Sequence, residues 1–187
     1  MKPILIDFPE SIDSERLIIR APRIGDGPAV NAAIVESVNE LRPWMPWAKE
    51  TQSVDQTEEN IRGAVSRFIA REDLRLQIFL KSDGSFVGGS GLHRIDWDVP
   101  RFEIGYWVRT SQTRKGYASE AVRAIAEFAF NTLSARRVEI RMDEKNLASQ
   151  RVAERAGFPV EAILRAFERD HHGVLRDTRI YARTRPD

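Results

Sequence analysis

The octapeptide Thr113-Arg114-Lys115-Gly116-Tyr117-Ala118-Ser119-Glu120 has the composition of an anion cradle. A strand pattern ends just before it and a helical pattern begins at Gly116, so the turn offers unpaired backbone N–H groups at the positive end of a helix dipole. Gly116 and Ala118 keep side chains away from a phosphate, while Arg114 and Lys115 add positive charge. The octapeptide contains neither Gly-x-x-x-x-Gly-Lys-Ser/Thr nor Gly-x-Gly-x-x-Gly, so the phosphate is not that of a nucleotide-hydrolysing P-loop or a dinucleotide fold. Taken alone, it fits equally well a basic turn that only starts a helix.

Other groups could do chemistry beside such a ligand. Asn146 and Ser149 lie one helical turn apart, so both can face one cleft, or Asn146 simply caps the helix and Ser149 is a solvated first-turn residue. Glu103 lies within a strand. Glu168 stands between Arg165 and Arg169, neighbours that favour its ionised form and allow a plain surface ion pair. His93 has no partner at metal-ligand spacing, and His171 and His172, adjacent in a polar turn, do not converge on one ion, so no metal is expected. The run Gly88-Gly89-Ser90-Gly91 falls inside a strand and indicates close packing or a bulge. Trp44, Met45 and Trp47 form an aromatic loop that either plugs the core or lines a pocket. The absence of cysteine excludes disulfides, thiolate zinc sites and a cysteine nucleophile.

These groups need a scaffold. The chain has 187 residues, 42% of them hydrophobic and 30% charged, which reads as a single globular domain over 1–187. Its 29 basic and 28 acidic residues leave a net charge of +1, so no overall field favours nucleic acid. No apolar run approaches the ~18 residues of a membrane helix, and residues 1–7 are broken by charge too early for a secretory leader. A cytoplasmic protein without nucleic-acid or membrane partners is expected.

The pattern predicts a strand over 14–21, a helix from Pro28 to about Glu36 capped by Asp26, a loop over 41–47 and a helix from Asp55 to near Asp73. Strands over 74–80 and 86–92 flank the hairpin signal Asp83-Gly84. The strand over 102–108 places Phe102, Ile104, Tyr106 and Val108 on one face and Glu103, Gly105 and Trp107 on the other. A helix over 116–133, a strand over 136–142, a helix over 147–156 stopped at Gly157, and strands over 158–167 and 174–181 complete the chain. The result is a mixed α/β sheet in which the strand–helix–strand over 102–142 requires a parallel pair with a right-handed crossover.

Four blocks, in order and at matching spacing, resemble the GNAT superfamily of acetyl-CoA-dependent N-acetyltransferases, most closely its RimJ/RimL-like branch. Ser14-Glu15-Arg16-Leu17-Ile18-Ile19-Arg20 resembles T-E-R-L-x-L-R, and Glu103-Ile104-Gly105-Tyr106-Trp107 resembles E-I-G-Y-W. Gly116-Tyr117-Ala118-Ser119-Glu120-Ala121 resembles G-x-A-T-E-A, and the segment from Asn146 to Phe158 resembles N-x-x-S-x-R-V-x-E-x-x-G-F. The chain departs from the pattern at Thr113, where Arg or Gln is usual, and at Arg114, where glycine is frequent.

The resemblance implies a GNAT-like fold of about seven strands and four helices. It implies that Arg114, Lys115, Gly116, Tyr117, Ala118 and Ser119 hold the coenzyme A pyrophosphate. It also implies that amides near Trp107 and Val108 bind the thioester carbonyl where the 102–108 and 136–142 strands splay. By the same resemblance Asn146 contacts acetyl-CoA, Ser149 assists the leaving thiolate, Glu168 is the base with Glu103 competing, and Trp44 and Trp47 lie beside the acceptor. The resemblance implies direct transfer of the acetyl group to a primary amine, in the first place a ribosomal-protein-like N-terminal α-amine, which with an unperturbed pKa near ~7.7–8.0 sheds its proton more readily than lysine near ~10.4. Small-molecule or antibiotic amines, a non-catalytic acetyl-CoA sensor, and a homodimer remain open at this point.

Overall fold

The computed structural model describes residues 2–170 and 172–185; His171 lies outside them. Eight strands form one sheet in the order β1-β2-β3-β4-β5-β6-β8-β7. They are β1 (Ile12–Asp13), β2 (Leu17–Arg20), β3 (Leu74–Leu80), β4 (Phe86–Asp96), β5 (Arg101–Val108), β6 (Arg137–Asp143), β7 (Val160–Arg169) and β8 (Leu175–Thr184). Four helices, α1 (Gly27–Leu41), α2 (Val54–Ala70), α3 (Tyr117–Asn131) and α4 (Leu147–Arg155), accompany it. One strand more than the expected seven is present because the two residues of β1 pair with β2 through Ile12↔Ile19 and Asp13↔Ile18.

The period-two pattern sorts the sheet into two faces. Leu74, Leu76, Ile78, Phe102, Ile104, Val138 and Ile140 are buried against Ala121, Val122, Ile125 and Ala129 of α3. Tyr106 and Val108 pack at the edge of this cluster, as their parity in β5 predicts. On the opposite face Phe86 and Trp107 meet Val30, Ala33 and Ile34 of α1 and Ile61 of α2.

Helix α1 runs to Leu41 rather than Glu36, because Val38 and Leu41 are buried and continue the stripe begun by Val30 and Ile34. Asp26 does not cap α1 with its side chain. Its carboxylate instead takes two Arg20 nitrogens at 2.9 and 2.7 Å and the Arg23 amide at 2.8 Å. The cap comes from another helix: Glu58 of α2 accepts the amides of Gly25 and Gly27, each at 3.0 Å.

The sheet is antiparallel except between β5 and β6. That parallel contact is short: Arg101↔Arg137, Phe102↔Val138 and Glu103↔Glu139. Beyond it β5 stays with β4 as far as Gly88↔Val108, and β6 stays with β8 as far as Asp143↔Thr178. The two strands therefore part, and facing strand edges are left without ladder partners.

The glycine run in β4 permits this path. A Cβ on Gly88 would lie 2.1 Å from the Trp107 carbonyl oxygen, and one on Gly89 would lie 2.6 Å from the Trp107 indole nitrogen. The close-packing reading of this segment is thus borne out. Gly88→Ala is expected to destabilise the protein by about 2–3 kcal/mol through this backbone clash, measured as a fall in the urea midpoint at unchanged m-value.

Candidate active site

The turn before α3 has the geometry of a phosphate cradle. Gly116 takes φ 85° and caps α3, and the first main-chain bond of the helix runs from the Glu120 amide to the Gly116 carbonyl at 3.1 Å. The amides of Tyr117, Ala118 and Ser119 precede that bond and have no carbonyl within the helix to donate to. Arg114 occupies the left-handed region at φ 61°, so this arginine adopts the conformation glycine would take without strain. Lys115 extends to Gln112, with Nζ donating to Oε1 at 2.8 Å.

Two carboxylates brace this turn. Glu120 accepts the Ser14 hydroxyl at 2.7 Å, the Arg16 amide at 2.8 Å and Arg16 Nε at 2.7 Å. Burial works to raise its pKa, but the Arg16 amide, the Ser14 hydroxyl and the guanidinium outweigh it and hold it low. Arg16 also donates to the Lys115 carbonyl at 3.1 Å and places its guanidinium 4.6 Å from the Tyr117 ring centre. Glu36 of α1 accepts Arg109 Nε at 2.9 Å, Arg109 Nη2, and the Ser111 amide at 2.7 Å, which anchors the Thr110–Gln112 turn leading into the cradle. Its bond from Arg109 is the main cause that brings the Glu36 pKa from 4.5 down to about 2.

The parting of β5 and β6 opens a cleft of about 560 Å³. The structure brings Trp44, Trp47, Glu103, Trp107, Asn146, Ser149 and Glu168 together along its wall. Val108 and residues 114–119 are not among its lining. They lie along the continuation of β5 through the Thr110–Gln112 turn into α3. Strand alternation decides what β5 offers to the opened edge. The Arg109 amide donates to Val87 of the β4 side at 2.9 Å, so the amide of Trp107 also points to β4 while those of Tyr106 and Val108 point into the splay. Trp107 lines the cleft with its indole.

Asn146 caps α4, its Oδ1 accepting the Ser149 amide at 3.1 Å. Ser149 Oγ shares a 2.7 Å hydrogen bond with the Tyr106 hydroxyl, which also donates to the Ser149 carbonyl at 3.0 Å. Burial raises the Tyr106 pKa well above its ordinary value, so the phenol stays protonated.

Glu168 accepts Arg176 Nη2 at 2.7 Å. It is this arginine, not the neighbouring Arg165, that holds it; Arg165 pairs with Asp177 at 2.6 Å. The β7 register shifts between Leu164 and Glu168, with Ala166 at φ 48°, and such a bulge re-aims a side chain. Glu103 lies 3.4 Å from both Arg94 and Arg141. Burial raises its pKa, against the opposing pull of these two arginines.

Trp44 is half-buried and Trp47 exposed, so the loop does not plug the core, although Met45 packs against the α1 cluster. His93 sits in the cleft with Nδ1 2.7 Å from Asp73 Oδ2. Its ring lies over Gly91 and Gly105, where added Cβ atoms would meet it at 2.7 and 3.1 Å. With no partner at metal-ligand spacing, His93 is not marked as a site residue by the sequence. The polar positions Asp73, Arg75 and Gln77, alternating with Leu74, Leu76 and Ile78, were the available signal that this face of β3 borders a polar cavity. Among the described residues no cluster of three or more His, Cys, Asp or Glu could hold a metal, and no helix is long and apolar enough to cross a membrane.

A parallel strand pair that opens beside a glycine-capped helix, in a sheet of this order, is the arrangement expected from the resemblance to GNAT acetyltransferases. The sequence profile of the acetyltransferase (GNAT) domain matches residues 16–159, and the chain belongs to this family. It is 31% identical over 141 residues to a Bacillus subtilis (strain 168) protein named "Probable N-acetyltransferase YjcK", covering 75% of this chain and 77% of that one. The ribosomal-protein-serine acetyltransferase of Escherichia coli (strain K12) is 28% identical over 143 residues, covering 76% and 78%. Among solved structures, RimL, the ribosomal L7/L12 alpha-N-protein acetyltransferase in complex with coenzyme A, matches with a TM-score of 0.86 at 24% identity over 94% of this chain and 98% of that one. The protein is therefore an acetyl-CoA-dependent N-acetyltransferase of the GNAT type.

The lowered Glu36 pKa fixes a sign. Its stabilising contribution is complete above pH 4.5 and is lost as the pH falls toward about 2. Glu36→Gln is expected to remove about 1 kcal/mol at pH 7, the pair being partly exposed, and to flatten denaturation curves across that window. Arg114→Gly should relieve about 1 kcal/mol of left-handed strain while weakening acetyl-CoA binding, read by thermal melting and calorimetry on the same samples.

Proposed function

We propose that this enzyme acetylates the α-amine of a protein N-terminus, with the amine entering from the Trp44 and Trp47 side and acetyl-CoA from the α3 side. The observation that carries the reading is the opened β5–β6 edge, which joins a turn of free amides to a cleft holding two carboxylates. The E. coli relative named for ribosomal-protein serine acetylation supports a protein acceptor, and an α-amine is far easier to neutralise than a lysine.

In this reading residues 114–119 grip the pyrophosphate through backbone amides and the charges of Arg114 and Lys115. The Val108 N–H, aimed into the splay, donates to the acetyl carbonyl and strengthens as that oxygen gains charge. The amine nitrogen bonds to the carbonyl carbon, Glu168 takes its proton, and the carbon–sulfur bond breaks. Ser149 delivers its proton to the departing thiolate and regains one from solvent, while the Tyr106 hydroxyl hydrogen-bonded to it holds its Oγ in place. Asn146 fixes Ser149 by capping α4. Its place in the cleft wall and the β7 bulge support Glu168 as base. Burial, which makes Glu103 a stronger proton acceptor than an ordinary glutamate, favours a second reading in which Glu103 takes that role.

A thiol-release assay with acetyl-CoA against N-terminal peptides, lysine peptides, polyamines and aminoglycosides tests both levels, and a chain with no cysteine adds no background. Release is expected with α-amine peptides above all others; preference for a polyamine or aminoglycoside overturns the acceptor class. Glu168→Gln should lower kcat about 100-fold with acetyl-CoA affinity unchanged. Should Glu103→Gln carry that loss and abolish an acidic limb lying above pH 4.5, the base is Glu103.

A further inference from the structure

Most arginines of the cleft face a carboxylate. Arg94 and Arg141 face Glu103 at 3.4 Å, Arg141 also holds Glu139 at 2.7 Å, and Arg176 holds Glu168 at 2.7 Å. Arg67 and Arg75 are different. Arg67, on α2, stands exposed at the rim, and Arg75, on β3, is half-buried in the wall; both line the cleft. Among the described residues neither guanidinium makes a hydrogen bond or an ion pair.

The nearby acids do not supply one. Asp26 and Asp73 both act on Arg75 at a distance. Asp26, however, is committed to Arg20 at 2.7 and 2.9 Å and to the Arg23 amide at 2.8 Å, and Asp73 to His93 at 2.7 Å. Burial pulls the Arg75 pKa down, and the like charge of Arg67 pulls it further. Two guanidiniums that repel one another across a shared space, one of them partly desolvated, favour an anion between them. Their planar forks match the oxygens of a carboxylate or phosphate.

Register places this pair relative to the chemistry. Arg75 lies opposite Gly91, which lies opposite Gly105 of β5, so its backbone is two strand spacings, about 10 Å, from the edge where transfer occurs. The two glycines present no side chains of their own and the His93 ring lies over both, so an anion held by Arg75 reaches the transfer edge past that ring.

We propose that Arg67 and Arg75 form an anion subsite of the acceptor pocket, so that the acetylated amine carries a carboxylate or phosphate a few atoms away. For a protein acceptor this means an acidic side chain within the first two or three residues. The inference rests on the acyl-transfer reading above.

The test compares three serine-initiated peptides carrying Asp-Glu, Asn-Gln or Lys-Lys at their second and third positions, with O-phosphoethanolamine as a small anionic amine. The wild type should show a KM about tenfold lower for the Asp-Glu peptide than for the Asn-Gln peptide, about 1.4 kcal/mol. Arg75→Gln should collapse that ratio toward one while acetyl-CoA affinity is retained, Arg75→Lys should restore part of it, and Arg75→Glu should move the preference to the Lys-Lys peptide. Arg67→Gln, at an exposed helix position, repeats the test without touching the sheet. Whichever of the acidic peptide and phosphoethanolamine shows the arginine-dependent KM identifies the source of the oxyanion. Equal KM values for the Asp-Glu and Asn-Gln peptides in the wild type, or an unchanged ratio in Arg75→Gln and Arg67→Gln, overturn the subsite while leaving the transfer reading intact. Acetyl-CoA binding without thiol release from any amine overturns the transfer reading and the subsite together.

Discussion

The site depends on where β5 and β6 stop pairing. A parallel ladder that continued past Glu103↔Glu139 would close the sheet and satisfy the edges of both strands. Because it ends there, Tyr106 and Val108 direct their amides into open space, and the two faces of the sheet communicate through the gap. Unpaired strand amides are costly to leave dry, so the opening holds polar ligand or water by necessity. The partners on the outer sides, β4 and β8, keep each strand extended while it diverges.

The turn before α3 is held by contacts remote in sequence. Glu120 sits in the first turn of α3 yet gathers Ser14 and Arg16 from the segment leading into β2, while Glu36 ties α1 to the turn after β5. A carboxylate in a helix's first turn suits the helix dipole, and here it also fastens the N-terminal segment to the start of α3. The same two contacts explain why the motif around Arg16 and the motif around Glu120 belong together: one braces the turn that the other opens.

The cleft is dense in charge, and its pairs are arranged in rows across the sheet. Asp73, His93 and Glu103 form one such row; Arg75, Gly91 and Gly105 form the next. The glycines make room for the His93 ring and the Trp107 indole, so the packing of β4 and the shape of the pocket have one cause. Strand register thus brings Glu103, Arg75, His93 and Trp107 onto one wall, which α2 and the Trp44–Trp47 loop complete.

Periodicity and turn chemistry sufficed to place the long elements. The stripe Val122, Ile125, Ala129 and Leu133 marked α3, and Asp83-Gly84 marked the β3–β4 hairpin. The β5 alternation predicted which residues share a face, and the fold then set one face against α3 and Trp107 of the other against α1. These are local properties, since a strand or helix must bury one face whatever it packs against. Sequence also determined the cradle's composition and, with the four motif blocks, the family. The arrangement of charge was decided by tertiary structure only. Asp26 left its helix for Arg20, Glu58 capped that helix from another, Glu168 found Arg176 rather than its neighbours, and Asp73 oriented His93. A charged side chain takes whichever partner the fold brings within about 3 Å, and spacing along the chain carries no record of that.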